Sequence, residues 1–363
     1  MRRSPRTRPR RTSPTSTVAQ AAVASEAGVP GAPARPEGVG QGLAPPSLLA
    51  RLVQRREATV VIVTLGVVIY FAIRTSTFYS VANIITMAQY TSSIAIIGSG
   101  EVLLLVLAEI DLSAGQMYLT APWIVYLLWA DGVPVGWAIA ASLACSLAIG
   151  LINGVVTVWL GVPSLIVTLG TNYALFGLVL VESNAIQQNM PGTTGTFGVV
   201  FGIGSWSVAL WALGIGIVIW VLLKQTRFGT HVTATGGNQL AAAEAGIPVR
   251  RVKVWCFMII AVAAAMSGIL DSIRIGSLNP GNSGLDIVLP GIVAAVIGGT
   301  ALTGGRGTVL GTLIGAVFLG VLEDGFNLIG VSANWFFLVE GLVILLAMAV
   351  NTQLGSLAAR TRR

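Results

Sequence analysis

The sequence predicts an all-α polytopic membrane protein of about ten transmembrane helices, one of them half-length or re-entrant, with both termini cytoplasmic. Three observations carry this. Of 363 residues, 54% are hydrophobic and only 10% charged, too little polar surface for a soluble globule of this size. The apolar residues come in separate runs of about 16–25 residues, the length an α-helix needs to cross a hydrocarbon core of about 30 Å. Runs such as IIAVAAAMSGIL do not alternate in polarity, as the roughly ten-residue strands of a β-barrel would.

Residues 1–50, beginning MRRSPRTRPRRTSPTSTVAQ, are rich in Arg, Pro, Ser, Ala and Gly and hold no sustained apolar period. They read as a disordered, solvated cytoplasmic tail beside anionic membrane lipid, with no nucleic acid as partner. The first apolar run starts only near Thr59, too far in for an ordinary signal sequence. Residues 51–350 read as the transmembrane domain, and 351–363 as a basic cytoplasmic tail.

The spans read as 57–73, 83–107, 114–129, 136–158, 163–182, 206–223, 254–273, 286–300, 308–328 and 334–350. The eighth is too short for a full crossing. It follows the polar loop SLNPGNSG, and Asp286 is placed to cap its amino end, as in a re-entrant or half-length helix. With the first span running outward, the inner side holds Arg51, Arg55, Arg56, Lys224, Arg227, Arg250, Arg251, Lys253, Arg306, Arg360, Arg362 and Arg363. The outer side holds only Arg74 and Arg274, and such an excess of cations marks the cytoplasmic face. Trp129, Trp137, Trp206 and Trp335 near outer ends, and Trp159, Trp220 and Trp255 near inner ones, fit the same register.

This topology makes 224–253 the longest cytoplasmic loop between spans. In it Asn238 is placed to cap a short helix, QLAAAEA forms helix readily, and Gly246 followed by Pro248 stops it. A helix only about 12 Å long is unstable alone and must dock. Leu240, Ala243 and Ile247 share an apolar stripe, Glu244 offers a charge to a basic partner, and Arg250, Arg251 and Lys253 anchor the next span at the headgroups. From physics alone an ordinary positive-inside loop with a helical turn fits equally well.

The string TRFGTHVTATGGNQLAAAEAGIPVRRVK resembles the permease subunit of bacterial ATP-binding-cassette importers for ribose, xylose and related monosaccharides. So do AEIDLSAG at 108–115, GVPSLIVTLGT at 161–171 and AAVIGGTALTGGRGTVLGTLIGA at 294–316, and the likeness runs in order from about residue 60 to 350. The resemblance implies a multi-pass protein of the bacterial cytoplasmic membrane. Its cytoplasmic loop would carry a coupling helix seated in a cleft of a cassette ATPase subunit, with Asn238, Ala242, Glu244, Gly246 and Arg250 as contacts. It further implies an extracytoplasmic sugar-binding protein, and a second permease copy or a close paralogue. ATP and Mg would reside in the partner ATPase, with no cofactor held by this chain. The family usually has Gly-Gly where this chain has Ala108 and Glu109, which leaves the local backbone geometry open.

A phosphate-binding loop needs Gly before Lys, and the only two lysines, Lys224 and Lys253, follow Leu223 and Val252. The glycines of GGTALTGGRGT, 298–308, suit close helix packing and a tight turn. No metal site or triad is legible: His231 is the only histidine, and Cys145 and Cys256 read as two buried thiols. The chain therefore reads as a transport permease and not as an enzyme.

Polar residues in or near spans include Glu101, Asn172, Tyr173 and Asp271. A charge in mid-membrane costs roughly 2.5–3.5 kcal/mol on insertion scales, so those truly inside should face a pathway, a partner or a helix interface. Glu101 is the deepest candidate, and Asn172 and Tyr173 are neutral groups a sugar could slide past; helix–helix hydrogen bonding is the competing role. Asp111 or Ser113 is positioned to cap the third span, and with Glu109 they suit capping and packing better than acid–base chemistry. An ion-coupled secondary transporter of a small polar solute stays open, since Glu101 and a half-length helix also suit coupling-ion sites. IDLSAG and TALTGG echo each other across the chain.

Overall fold

The computed structural model describes residues 56–332 and, beyond them, 335, 338, 339, 341, 342 and 345. The tails 1–50 and 351–363 lie outside the described residues, as does most of the tenth run, 334–350. The described chain is helical throughout apart from one two-residue strand pair. Besides short helical turns at Ser76–Tyr79, Gly195–Gly198 and Val199–Ile203, its helices are α1 Arg56–Arg74, α2 Val81–Val106, α3 Ser113–Ala130, α4 Val135–Trp159, α5 Ser164–Ser183, α6 Ser207–Gln225, α7 Arg227–Gly237, α8 Gln239–Glu244, α9 Val249–Ile275, α10 Leu285–Ile297 and α11 Val309–Leu328. Nine of the ten expected spans coincide with a helix. Among the described residues, six of these are long and apolar enough to cross a membrane, namely α2, α4, α5, α6, α9 and α11. The 13 residues of α10 reach about 20 Å, short of a full crossing, as its sequence indicated.

The bundle is built around α2. Every residue from Thr91 to Val106 is buried, by α10 and α11 on one side and by α9 and α6 on others. Small residues make this possible: a methyl on Gly98 would come within 2.7 Å of the Gly291 carbonyl oxygen of α10. The long α9 packs mainly along α4 and α3, and α1 packs on α11, where Phe71 meets Phe326 edge to face. The outward surfaces are the reverse of a soluble protein's, with Ile73, Val81, Trp137 and Val181 among many exposed apolar side chains, consistent with lipid as solvent.

Contacts sort the connections onto two ends. At one end the Gly305 amide donates to the Val106 carbonyl at 2.8 Å, and Lys253 pairs with Glu109 at 2.6 Å. At the other, Gln188 and Asn189 pair antiparallel with Leu278 and Ser277, and the Gln89 amide donates to the Ser205 carbonyl at 3.0 Å. The groups assigned to the cytoplasm from charge, around 224–253 and Arg306, thus share an end.

Four expectations are corrected. Asp286 lies within the first turn of α10 but makes no cap hydrogen bond; Gly284, at φ 72°, holds the cap position, where a side chain would collide with Gly115. Cys145 faces outward from α4 and only Cys256 is buried. Lys253 does not reach for the headgroups but turns inward to Glu109, and both side chains are largely buried. Finally, the polar loop holds a second helix, α7, whose many Thr and Gly residues disguised a Phe228, Val232, Thr235 stripe.

The Ala108–Glu109 departure also has its geometry. The Glu109 amide donates to the Leu104 carbonyl and the Ala108 amide to that of Leu105, a Schellman ending of α2 with Ala108 left-handed at φ 58°. Glycine is the natural residue there, since a left-handed non-glycine costs about 1–2 kcal/mol. Ala108→Gly should therefore raise stability in detergent by about 0.5–1 kcal/mol after the extra entropy of glycine is offset. Thermal unfolding monitored by tryptophan fluorescence checks this, and a loss of stability would contradict the assigned turn.

Candidate functional site

Two regions collect the polar side chains. The first is the non-helical return between α2 and α3, residues 107–112, which has neither helix nor sheet to satisfy its backbone. Helix α5 supplies the missing partners from one face, at spacing four: Ser164, Thr168 and Asn172. The Ile110 amide donates to the Ser164 hydroxyl at 3.3 Å, the Leu112 amide to that of Thr168 at 3.1 Å, and the Asn172 amide to the Leu112 carbonyl at 3.1 Å. The chain is held against α5 as if by a third helix turn made of side chains.

A second set of bonds runs through the same return. Thr171 donates to the side-chain Oδ1 of Asn153 at 2.6 Å, the side-chain amide of Asn153 donates to the Ser113 hydroxyl at 2.8 Å, and that hydroxyl donates to Asp111 at 2.5 Å. All three donors point toward Asp111, so an acceptor-only carboxylate is what the end of the chain requires. The same carboxylate oxygen takes the Ser113 amide at 2.9 Å, which makes Asp111 the side-chain cap of α3.

The structure thus brings Asp111, Ser113 and Asn172 together. Glu101 approaches from the far side: it is fully buried, faces the Asp111 backbone, and neither carboxylate oxygen has a hydrogen bond of normal geometry. It is enclosed by the surrounding helices and lines neither the hollow beside α8 nor the one at the opposite end. Tyr173, one position on from Asn172, points about 100° away and is 57% exposed on the outer surface of α5. Sequence reading missed Asn153, Ser164 and Thr168; the S-x3-T-x3-N spacing in α5 was the available signal.

The second region is α7–α8. Thr226 caps α7 through the Gly229 amide at 3.3 Å, and Gly236 lets it lie directly on α2, since a methyl there would fall 1.7 Å from the Val106 carbonyl oxygen. Asn238 caps α8, accepting from the Ala241 amide at 3.0 Å, and Gly246 at φ 82° ends the turn. The expected cap and stop are therefore the observed ones. Of the residues singled out, Ala242 is 4% exposed and seats the helix inward, whereas Asn238, Glu244, Gly246 and Arg250 are exposed. Among the described residues neither Glu244 nor Arg250 has an ion-pair partner. Beside them Trp159, Leu240, Ala243, Ile247 and Arg251 line an open hollow of about 700 Å³, and Leu240 is 71% exposed. Of the apolar stripe read from sequence, Leu240 and Ala243 face outward, while Ile247 is half-buried against the core.

The fold is that of a polytopic helical membrane protein with a docked but exposed helical pair at one end, and its relatives place it in the class of transport permeases. Comparison with known proteins makes the class specific: the chain belongs to the family described as branched-chain amino acid transport system, permease component, whose model matches residues 83–348. Its relatives include the xylose/arabinose import permease protein of Sulfolobus acidocaldarius, 34% identical, with 84% of this chain and 86% of that protein aligned. The ribose import permease protein of Escherichia coli K12 is also 34% identical, over 76% of this chain and 87% of its own. The galactose/methyl galactoside import permease protein of Haemophilus influenzae is 31% identical, over 81% and 92%.

The α5 ladder is open to a direct check. Thr168→Val keeps the shape but leaves the partly buried Leu112 amide without its acceptor, and should cost about 1 kcal/mol; Thr168→Ser should recover most of it. Thermal stability of the two variants in the same detergent decides, and equal stability of valine and serine would remove the ladder's role.

Proposed function

We propose that this chain is the membrane-spanning subunit of an ATP-driven importer and forms the translocation pathway for a monosaccharide. The family's description names amino acids, but the individual relatives above are import permeases for xylose, arabinose, ribose and galactose, and the cargo follows them. An extracytoplasmic binding protein delivers the sugar, a cassette ATPase holding ATP and Mg drives the cycle, and a second permease copy or a paralogue completes the pathway. Both termini and the α7–α8 loop face the cytoplasm, in line with the cation bias.

The observation that carries this reading is α8: a helix of six residues, anchored by Ala242 and offering an unpaired Glu244 beside an exposed apolar hollow. So short a helix is held by its anchors and not by its own hydrogen bonds, so its exposed face is available to a partner. Asn238, Glu244, Gly246 and Arg250 form the contact with the ATPase, and Ala242 fixes the helix on the permease.

Glu244→Lys should reduce sugar-stimulated ATP hydrolysis and uptake by about tenfold, a coupling change of about 1.4 kcal/mol. As Glu244 is exposed, the folding stability of the variant should stay within about 0.5 kcal/mol of the parent. Unchanged coupling in a variant that assembles normally would remove α8 from the drive train.

A further inference from the structure

At the end opposite α8 the structure holds a cavity of about 440 Å³, within the range of about 300–1,000 Å³ usual for small-molecule sites. It lies where α2, α3 and α9 converge beneath the loop before α10, and Tyr90, Ser93, Tyr118, Asp271, Arg274 and Asp286 line it. Asp271 is its fixed centre. The Tyr118 hydroxyl donates to one carboxylate oxygen, and Arg274 reaches the other through two nitrogens, at 2.8 and 2.7 Å. Arg274 spends only part of its five-donor fork on this pair and remains partly exposed. Asp286 is free of any cap bond to α10 and is exposed at the rim.

We propose that this cavity is a relay site for a neutral polyhydroxylated ligand, a pentose or hexose, on its way from the binding protein to the membrane core. The inference rests on the import function proposed above. Adjacent sugar hydroxyls both donate and accept, which matches two carboxylates, a guanidinium fork and the Tyr118 hydroxyl in one wall. Tyr90 and Tyr118, with Ile94, Leu119 and Ile287, supply apolar surface for the C–H face of the ring. Two carboxylates against one guanidinium leave the wall net negative, so an acidic sugar is repelled. Its best acceptor, Asp271, is already engaged, so binding is weak, as a relay needs: the ligand must enter and leave on each cycle.

The site can be read in intact cells. Asn282 lines the cavity and is half-buried, so Asn282→Cys, in a Cys145→Ser background, places one thiol there. Glu182→Cys, exposed and outside the lining, is the control. A membrane-impermeant maleimide should label both. D-ribose, D-xylose or D-galactose at concentrations about tenfold above a millimolar Kd should slow labelling of the first at least about threefold, leaving the control unchanged. D-glucuronate should protect less than the neutral sugars, and Asp286→Asn, at the exposed rim, should narrow that difference. A thiol at 282 that the reagent cannot reach, or that labels at one rate with every neutral sugar, overturns the proposal. If ATP-driven sugar uptake persists in that case, only the relay site fails. If protection is seen but no monosaccharide is taken up under ATP, the cavity stands and the import reading falls.

Discussion

Lipid offers no hydrogen bonds, so a chain that leaves helical geometry inside a membrane bundle must find partners for its amides and carbonyls within the protein. The return at 107–112 is where this constraint bears hardest. Its solution, hydroxyl and amide side chains every fourth residue along α5, ties three parts of the molecule to one geometry. The start of α3 depends on it through Asp111 and Ser113, and α4 through Asn153. The foot of α9 joins through the Lys253–Glu109 pair. Pairing both ions there is a necessity, because removing one partner of a largely buried pair leaves the other charge without compensation.

The same junction is one step from the exposed helices. Gly236 of α7 lies on the Val106 carbonyl at the end of α2, and the loop carrying Arg306 donates its Gly305 amide to that carbonyl. A displacement of α7–α8 therefore meets backbone directly, with no flexible side chain between to absorb it. From Val106 the chain passes in a few residues through the left-handed Ala108 to the network at Asp111. Rigid contiguity of this kind is the physical means by which a partner at one end can bias the packing of the core. The buried stretch of α2, Thr91–Val106, with Glu101 near its end, is the element such a bias would move.

Much of this was legible in the sequence, and the parts that were not have identifiable causes. Hydrophobic run length gave nine of the helices nearly to their ends, because in lipid length and polarity are directly constrained. Asn238 and Gly246–Pro248 marked α8 because caps and stops are local chemistry. Helix α7 escaped, since its Thr- and Gly-rich sequence contradicts propensity and only tertiary packing of Phe228, Val232 and Thr235 pays for it. The polar residues were found but not sorted: the spacing of Ser164, Thr168 and Asn172 puts Asn172 on one polar face and Tyr173 off it, but which face meets the return is set by helices distant in sequence. Glu101 looked like a pathway group from its depth alone, and the helices that enclose it are distant in sequence. Asp271 was noticed, whereas its partner Tyr118, in another helix, could be found only by folding the chain.

Transport is proposed to run on the power of a separate subunit engaged through α7–α8. The most direct test is affinity purification of the chain from its native membrane in a gentle detergent, with identification of bound proteins and an ATPase assay on the complex. The account predicts a co-purifying cassette ATPase whose hydrolysis rises when a sugar-loaded binding protein is added. A chain that emerges alone under conditions preserving other membrane complexes, with uptake that survives ATP depletion and collapses with the ion gradient, would contradict it.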